Sequence, residues 1–217
     1  MVGDIAHICN RGVEKRKIFL DRRDYSRFVE NLYFLNNQKG KLITEKKNIF
    51  QTPYLLPKQD KLVEILKWVA LPNHYHLLLH EIAEGGILEF TKRLGNAYTK
   101  YFNTKNEGRS GYLFQNSAKI IRIQEDAHYL YIPFYIDLNV MDMFNSKIAP
   151  DKVFGFLISY QWSSLRDYYD ASNYLPIINR DSFYELFGTD QIRYKEELLD
   201  LAGRGVRELG INLGGLF

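Results

Sequence analysis

The sequence has little cysteine, since Cys9 is the single one among 217 residues. One cysteine cannot form a disulfide within the chain or supply a cysteine-based zinc site, which predicts a reducing, cytoplasmic setting. No apolar run approaches the roughly 18 residues of a membrane-spanning helix, so we expect no membrane partner. The first residues lack a basic segment followed by an apolar one, and we expect no signal peptide.

The chain also lacks a strong excess of charge of either sign. Its formal net charge is +3 and its pI is about 8.7, which permits nucleic-acid binding but does not demonstrate it. Basic residues are grouped locally instead, as Lys15, Arg16, Lys17, Arg22, Arg23 and Arg27, as Lys92, Arg93, Lys100 and Lys105, and as Arg109, Lys119 and Arg122. Each group alone is more typical of a solvated face than of a binding surface.

The remaining composition is that of a folded domain. A hydrophobic content of 46% with 15% aromatic residues argues against disorder. The length supports one sizeable core with an extension rather than two full domains. We expect residues 1–149 to form the main domain and residues 150–217 to form a mostly helical C-terminal extension.

Hydrophobic periodicity predicts alternating strands and helices. The predicted strands cover residues 5–9, 63–70, 74–80 and 118–123, and the predicted helices cover residues 21–37, 87–102 and a segment from residue 125. The order strand, helix, strand, strand, helix, strand predicts an α+β fold of the ferredoxin-like split βαβ type, with an antiparallel sheet and a further helix packed by it. The predicted helix over residues 87–102 is expected to turn Leu88, Leu94, Ala97, Tyr98 and Tyr101 inward. Residues 38–61 are polar and are expected to form a loop or insertion.

Two histidines stand in the predicted third strand, as His74-Tyr75-His76, between an apolar run and Leu77-Leu78-Leu79. Because strand side chains alternate, His74 and His76 point to the same face. Neighbouring imidazoles are suited to bind one divalent metal ion. A bare His-x-His pair is nevertheless more often structural, so further functional residues are needed to support a site.

Such residues occur on the predicted third helix. Tyr131, Tyr135 and Asn139 are spaced four residues apart, which places them on one helical face. A tyrosine hydroxyl can attack phosphorus covalently, and an amide oxygen is a hard ligand suited to Mg²⁺ or Mn²⁺. The spacing does not choose between the two tyrosines, and a tyrosine so placed is more often a packing residue. Pro133 is expected to distort or restart this helix.

Several segments, in order along the chain, resemble single-tyrosine HUH transposases, and REP-associated tyrosine transposases are the most similar. The segment Leu71-Pro72-Asn73-His74-Tyr75-His76-Leu77-Leu78-Leu79 resembles the HUH motif, and Tyr135-Ile136-Asp137-Leu138-Asn139 resembles the Tyr-Ile-x-x-Asn-Pro motif, with Val140 replacing its proline. Shorter similarities are His7-Ile8-Cys9-Asn10-Arg11-Gly12, Gly111-Tyr112-Leu113-Phe114-Gln115 and Trp162-Ser163-Ser164. Asn116-Ser117 stands where the family more often has Gly-Arg.

The resemblance implies a ferredoxin-like catalytic domain that cleaves single-stranded DNA, often beside a hairpin, and rejoins it through a 5′-phosphotyrosine during DNA transposition. Carried over by position, His74, His76 and Asn139 become the implied ligands of Mg²⁺ or Mn²⁺. Tyr135 becomes the implied nucleophile, and this preference over Tyr131 comes from the resemblance alone. Related enzymes act as homodimers or as monomers, so both states remain open for this chain.

Candidate DNA contacts are basic, amide or aromatic residues near these motifs, namely Arg11, Lys15, Arg16, Lys17, Tyr112, Gln115 and Lys119. Cationic side chains contact phosphates with a salt-dependent affinity, and an aromatic ring stacks on unpaired bases. For Arg11, Lys15–Lys17 and Tyr112, a surface turn or a buried ring is an equally good interpretation.

Two other functional classes stay open, as do the roles of three further histidines. The first class is a non-catalytic nucleic-acid-binding module on the same fold, with a decayed site and no need of metal. The second is a metal-dependent hydrolase that uses the histidine pair and a water without a covalent protein–DNA adduct. His80 and His128 are expected to be ordinary polar residues. His7 is left open, because its strand could lie beside the His-x-His strand.

Overall fold

Four strands and seven helices form the part of the chain described by a computed structural model, which covers residues 1–40, 60–124, 126–143, 148–169, 173–174 and 177–204. The strands are β1 (Ile5–Arg11), β2 (Val63–Leu71), β3 (His74–Glu81) and β4 (Lys119–Arg122). The helices are α1 (Arg22–Phe34), α2 (Gly86–Lys105), α3 (Asp126–Leu138), α4 (Pro150–Ser159), α5 (Leu165–Tyr169), α6 (Arg180–Phe187) and α7 (Gln191–Arg204). Short 3₁₀ helices cover Val13–Lys15 and Asn139–Met143.

The strands form one antiparallel sheet in the order β2-β3-β1-β4. With α1 between β1 and β2, and α2 between β3 and β4, this is the ferredoxin-like order. The predicted α+β class is therefore confirmed, and the His-x-His strand β3 lies between β2 and β1 inside the sheet. None of the helices in the described part of the chain is both long and apolar enough to span a membrane.

Side-chain alternation gives the sheet two different faces. The antiparallel register sets Cys9 opposite His76 and Arg11 opposite His74, and residues opposite each other share a face. We call this the histidine face. The other face carries Tyr75, which packs on Phe28 of α1 with ring centroids 4.9 Å apart. The helices α1 and α2 thus cover one face, while α3 covers the histidine face.

A buried ion pair attaches α3 to β2 on the histidine face. Lys67 Nζ lies 2.9 Å from Asp137 Oδ2, and both side chains are fully buried. The ammonium also lies 3.9 Å from the ring centroid of Tyr168 and 4.0 Å from that of Tyr194, which belong to α5 and α7. Burial lowers the pKa of Lys67, although Asp137 opposes the shift. The pair joins the sheet, α3 and the C-terminal helices into one packed unit.

Residues beyond 150 also bond to the outer edge of β2. Ala70 N donates to Trp162 O at 2.9 Å, and Ser164 N donates to Trp68 O at 2.8 Å. Asn179 N donates to Ile65 O at 3.2 Å further along the same edge. Described residues on both sides of position 150 contribute to one hydrophobic core. The domain boundary expected there stays a prediction.

Three local expectations differ from the structure. The helix α3 continues through Pro133, because its neighbours Ile132 and Phe134 are buried and this burial outweighs the roughly 3 kcal/mol cost of proline. That helix ends at Leu138, so Asn139 lies in the following 3₁₀ helix and not in α3, although its side chain still contacts Tyr135. Leu88 was expected to point inward on α2, but it is 64% exposed. The buried row uses Ile87, Phe90, Leu94 and Tyr98 instead. Most of the loop expected over 38–61 lies outside the described residues.

Candidate active site

Three histidines lie side by side on the histidine face. His7 Nε2 is 2.8 Å from His76 Nδ1, and their rings are nearly parallel with centroids 5.0 Å apart. The rings of His74 and His76 have centroids 5.1 Å apart and planes 86° apart. His7 and His76 are buried, and His74 is 9% exposed. Sequence reasoning left His7 open, and the signal that identifies it is the pairing of β1 with β3.

The local hydrogen bonds set the tautomer of His74. Asn73 Nδ2 donates to Lys15 O at 3.2 Å, which turns Asn73 Oδ1 toward the His74 ring. His74 Nδ1 lies 2.6 Å from this oxygen and must carry the hydrogen, because an amide oxygen only accepts. The lone pair of the neutral ring is then on Nε2. Metal-binding histidines are commonly held in this way by a carbonyl on the other nitrogen.

Burial keeps both histidines of the His-x-His pair neutral. It lowers the pKa of His74 to about 4, with a further lowering by the Arg11 charge and a smaller opposing effect of a hydrogen bond with Asn139. Burial also lowers the pKa of His76 well below its usual value, and His7, His74 and Arg11 act in the same direction. Neutral imidazole is the form that binds metal ions.

Tyr135 of α3 stands against the histidines. Its ring centroid is 5.4 Å from that of His76 and 5.9 Å from that of His7, with nearly perpendicular planes. Burial raises the pKa of Tyr135 to about 12, while a hydrogen bond with Asn139 and the charge of Arg11 lower it. Among the ring contacts of the described residues, Tyr131 makes none with these histidines. The structure therefore brings Tyr135, and not Tyr131, to the histidine pair.

Asn139 lies between the tyrosine and His74. Its Nδ2 donates to the backbone oxygen of Tyr135 at 2.6 Å, and its side chain is buried. The Asn139 side chain also forms hydrogen bonds with the His74 ring and with the Tyr135 hydroxyl. One amide side chain thus ties the end of α3 to the His-x-His strand.

The donor atoms of this site fit a divalent ion in part. Two neutral imidazoles and one side-chain amide oxygen are ligand types suited to Mg²⁺, Mn²⁺ and related ions. Although three histidines lie together, in the described part of the chain no group of three His, Cys, Asp or Glu side chains is arranged so that it could hold a metal ion. A metal site therefore depends on the amide of Asn139. Burial raises the pKa of the neighbouring Cys9 thiol to about 11.

The seven predicted DNA-contact residues do not share one surface. Arg11 and Lys119 belong to the histidine face, since the β1–β4 register sets Lys119 opposite Cys9. Lys15 and its neighbours Arg16 and Lys17 follow β1 in a loop that Asn73 attaches to the β2–β3 turn. Tyr112 and Gln115 line a groove beside α2, where Tyr112 is 89% exposed. The DNA-binding roles of all seven stay predictions.

His80 has no part in this cluster. His80 Nδ1 lies 3.3 Å from Glu64 Oε2 on the neighbouring strand, four residues along β3 from His76. This pairing is that of an ordinary polar residue, as expected. The side chain of His128 lies outside the part of the chain that the structure describes.

Comparisons with known proteins add one remote similarity. No protein-family model matches the sequence, and no curated protein matches it. Among solved structures, a REP-associated tyrosine transposase bound to a REP hairpin is similar with a TM-score of 0.42. The identity is 13%, and the similarity covers 76% of this chain and 78% of that chain.

Proposed function

We propose that the chain is a metal-dependent single-stranded DNA endonuclease and strand transferase of the kind that DNA transposition requires. Its partner is single-stranded or hairpin DNA, and Tyr135 is the nucleophile. One juxtaposition carries the proposal. The Tyr135 ring lies 5.4 Å from the His76 ring, and Asn139 hydrogen-bonds to both His74 and Tyr135.

In this proposal His74, His76 and Asn139 hold one Mg²⁺ or Mn²⁺. The bound ion supplies Lewis-acid stabilisation of the negative charge on a phosphate oxygen. The chain prepares these ligands by keeping both imidazoles neutral and by fixing the His74 tautomer through Asn73. Arg11 adds a positive charge beside the same residues, where a phosphate would bind.

The covalent step exchanges one phosphate ester for another. The Tyr135 oxygen attacks phosphorus, and the bond from phosphorus to the 3′ oxygen breaks. The 5′ phosphate of the downstream fragment is then linked to the tyrosine, and the upstream fragment leaves with a free 3′-hydroxyl. The proton that Tyr135 loses is balanced by the proton that the leaving 3′ oxygen gains. Burial holds Tyr135 protonated at neutral pH, and Arg11 and Asn139 favour its ionised form. Because the ester is retained, the 3′-hydroxyl of another strand can reverse the step without ATP.

A non-catalytic nucleic-acid-binding module is the second candidate function. It is favoured by the 2.8 Å hydrogen bond between His7 and His76, which satisfies two buried ring nitrogens without a metal ion. The binding module is also favoured because the third metal ligand would be the Asn139 amide, and a carboxylate would bind a divalent ion more strongly. The fold and the basic residues would serve either function.

Covalent capture of labelled DNA tests the proposal. The protein is incubated with Mn²⁺ and with single-stranded oligonucleotides taken from DNA that flanks its own gene. We expect a 3′-labelled oligonucleotide to become linked to the protein, and a 5′-labelled one to yield a shorter free fragment. Tyr135→Phe should abolish the adduct, and the matched control Tyr131→Phe should retain it.

The other outcomes separate the alternatives. DNA binding that needs no metal and yields no cleavage would favour the binding module. Cleavage without any protein-linked fragment would favour a hydrolase. An adduct that persists in Tyr135→Phe would show that the nucleophile is assigned wrongly.

A further inference from the structure

We propose that the groove between α2 and the segment 111–118 is a second nucleic-acid site, which holds a single strand before it reaches the histidine face. We call it the α2 groove. This inference rests on the proposed function and extends its DNA contacts to a separate surface. The cavity measures about 880 Å³, within the roughly 300–1,000 Å³ typical of ligand sites. Its floor includes Asn10 and Ile120, which alternate with residues of the histidine face and so lie on the opposite side of the sheet.

One wall of the α2 groove is a basic helical row. Lys92, Asn96 and Lys100 are spaced four residues apart and are exposed, so they point into the groove together. The two lysines are separated by eight residues, or about 12 Å along the helix. Within the part of the chain that the structure describes, neither has an acidic partner at ion-pair distance. By contrast, Arg93 pairs with Glu89, and Lys105 pairs with two aspartates.

The opposite wall presents an exposed aromatic ring and side-chain amides. Tyr112 is 89% exposed, and Gln115 and Asn116 are exposed beside it. The segment is held in place from α2 and from the turn that follows it, because Asn103 Nδ2 donates to Gly111 O at 2.9 Å and Arg109 donates to Tyr112 O at 3.0 Å. Among the described residues that line the groove, none is acidic. The wall is therefore preformed, and an anion that enters meets no negative side chain.

Gly95 lies at the middle of the basic wall. A glycine inside a helix costs about 1 kcal/mol relative to alanine. A Cβ at Gly95 would meet nothing within 4 Å, so packing within the described chain does not require the glycine. A glycine that lines a groove is expected where the backbone of a ligand approaches closely.

These features together fit a single nucleic-acid strand. The lysines of the basic wall attract phosphates, the exposed ring stacks on a base, and the amides contact base edges without a strict sequence requirement. A duplex offers no unpaired base to Tyr112. The groove borders β4, the outer strand, on which Ile120 faces the groove and Lys119 belongs to the histidine face. A single nucleic-acid strand that crosses β4 would therefore pass from the α2 groove to Lys119 and then to the histidines.

Binding measurements test the groove separately from cleavage. Fluorescence anisotropy with labelled oligothymidine is measured in the Tyr135→Phe background without divalent metal, over a series of salt concentrations. Lys92→Gln with Lys100→Gln should weaken binding about 25-fold at 0.1 M salt and lower the salt slope by about 1.4, at roughly 0.7 per phosphate. Lys152→Gln with Lys195→Gln makes the same charge change on α4 and α7 and should have little effect.

Three further variants test the Tyr112 ring and Gly95 separately. Tyr112→Ala should weaken single-strand binding about 5- to 150-fold, which is the range of one lost base-stacking contact. Gly95→Trp should block binding. Gly95→Ala should fold and melt at a higher temperature than the parent, which separates a blocked groove from a damaged helix.

The possible outcomes divide cleanly between the two proposals. If both lysine pairs weaken binding equally, or if the parent prefers duplex to single strand, the groove proposal is overturned while Tyr135 adducts can still form. If the groove variants lose binding as expected and no adduct ever forms with the parent residue at position 135, the groove stands and the proposed function fails.

Discussion

Replacement of Asp137 by asparagine is expected to destabilise the protein by about 3 kcal/mol. Removing one partner of a buried ion pair leaves an uncompensated charge, which typically costs about 3–5 kcal/mol. The rings of Tyr168, Tyr194 and Phe183, with centroids 3.9, 4.0 and 4.7 Å from Lys67 Nζ, remain in the variant. A desolvated cation–π contact contributes about 2 kcal/mol, so the lower end of the range is expected.

The loss should depend on pH in a definite direction. Burial lowers the pKa of Lys67 in the folded parent, and loss of Asp137 should lower it further. Between this folded value and the ordinary value of the unfolded chain, the unfolded state binds more protons. The stability of Asp137→Asn should therefore rise from pH 7 toward pH 10, more steeply than that of the parent.

Urea unfolding followed by circular dichroism, with linear extrapolation, measures both effects. The matched control is the double variant Lys67→Met with Asp137→Asn, which removes the charge and keeps an acceptor for the Tyr194 hydroxyl that bonds Asp137 at 2.7 Å. It should recover most of the lost stability, because an apolar replacement of a buried pair is close to neutral. A loss below 1 kcal/mol in Asp137→Asn, or no recovery in the double variant, would refute the reasoning.

Three further predictions concern stability. Burial raises the pKa of Asp167 to about 7, so folded-state stability is lost as pH rises from about 4 to 7, and Asp167→Asn should flatten this part of the unfolding profile. Asn36→Ala should cost about 3 kcal/mol in urea unfolding, because its side chain makes three backbone hydrogen bonds, two of them to Val63. A Cβ at Gly12 would clash with the backbone oxygen of Arg16 and would meet Ile18 Cγ2 at 2.8 Å, so Gly12→Ala should cost about 1–3 kcal/mol. An unchanged pH profile, or losses under 0.5 kcal/mol, would contradict these expectations.

Much of the sheet could be predicted because its strands are either continuously apolar or bounded by turn residues. The strands β2 and β3 are apolar runs separated by Pro72 and Asn73, so the sequence predicts both of them to within one residue at each end. The α2 pattern was harder to interpret, because Leu88 is apolar yet exposed in the first turn. Periodicity places a helix, but which apolar residues face inward depends on where the helix begins.

The candidate site was only partly visible in the sequence. His74, His76, Tyr135 and Asn139 meet in the structure, although their chemical roles stay predictions. Sequence spacing shows neighbours along one element, and it does not show strand register, so the contact of His7 with His76 could only be left open. The pairing of Lys67 with Asp137 spans 70 positions, and no local pattern predicts a buried lysine.

The covered edge of β2 has a consequence for self-association. An open edge strand presents a row of free amide and carbonyl groups, which can recruit a strand from another copy. Residues 162–164 and 179 occupy those groups from within the same chain. A fragment that stops at residue 149 would expose a long apolar edge over Val63–Leu71. The C-terminal segment thus protects the β2 edge from pairing with a strand of another copy.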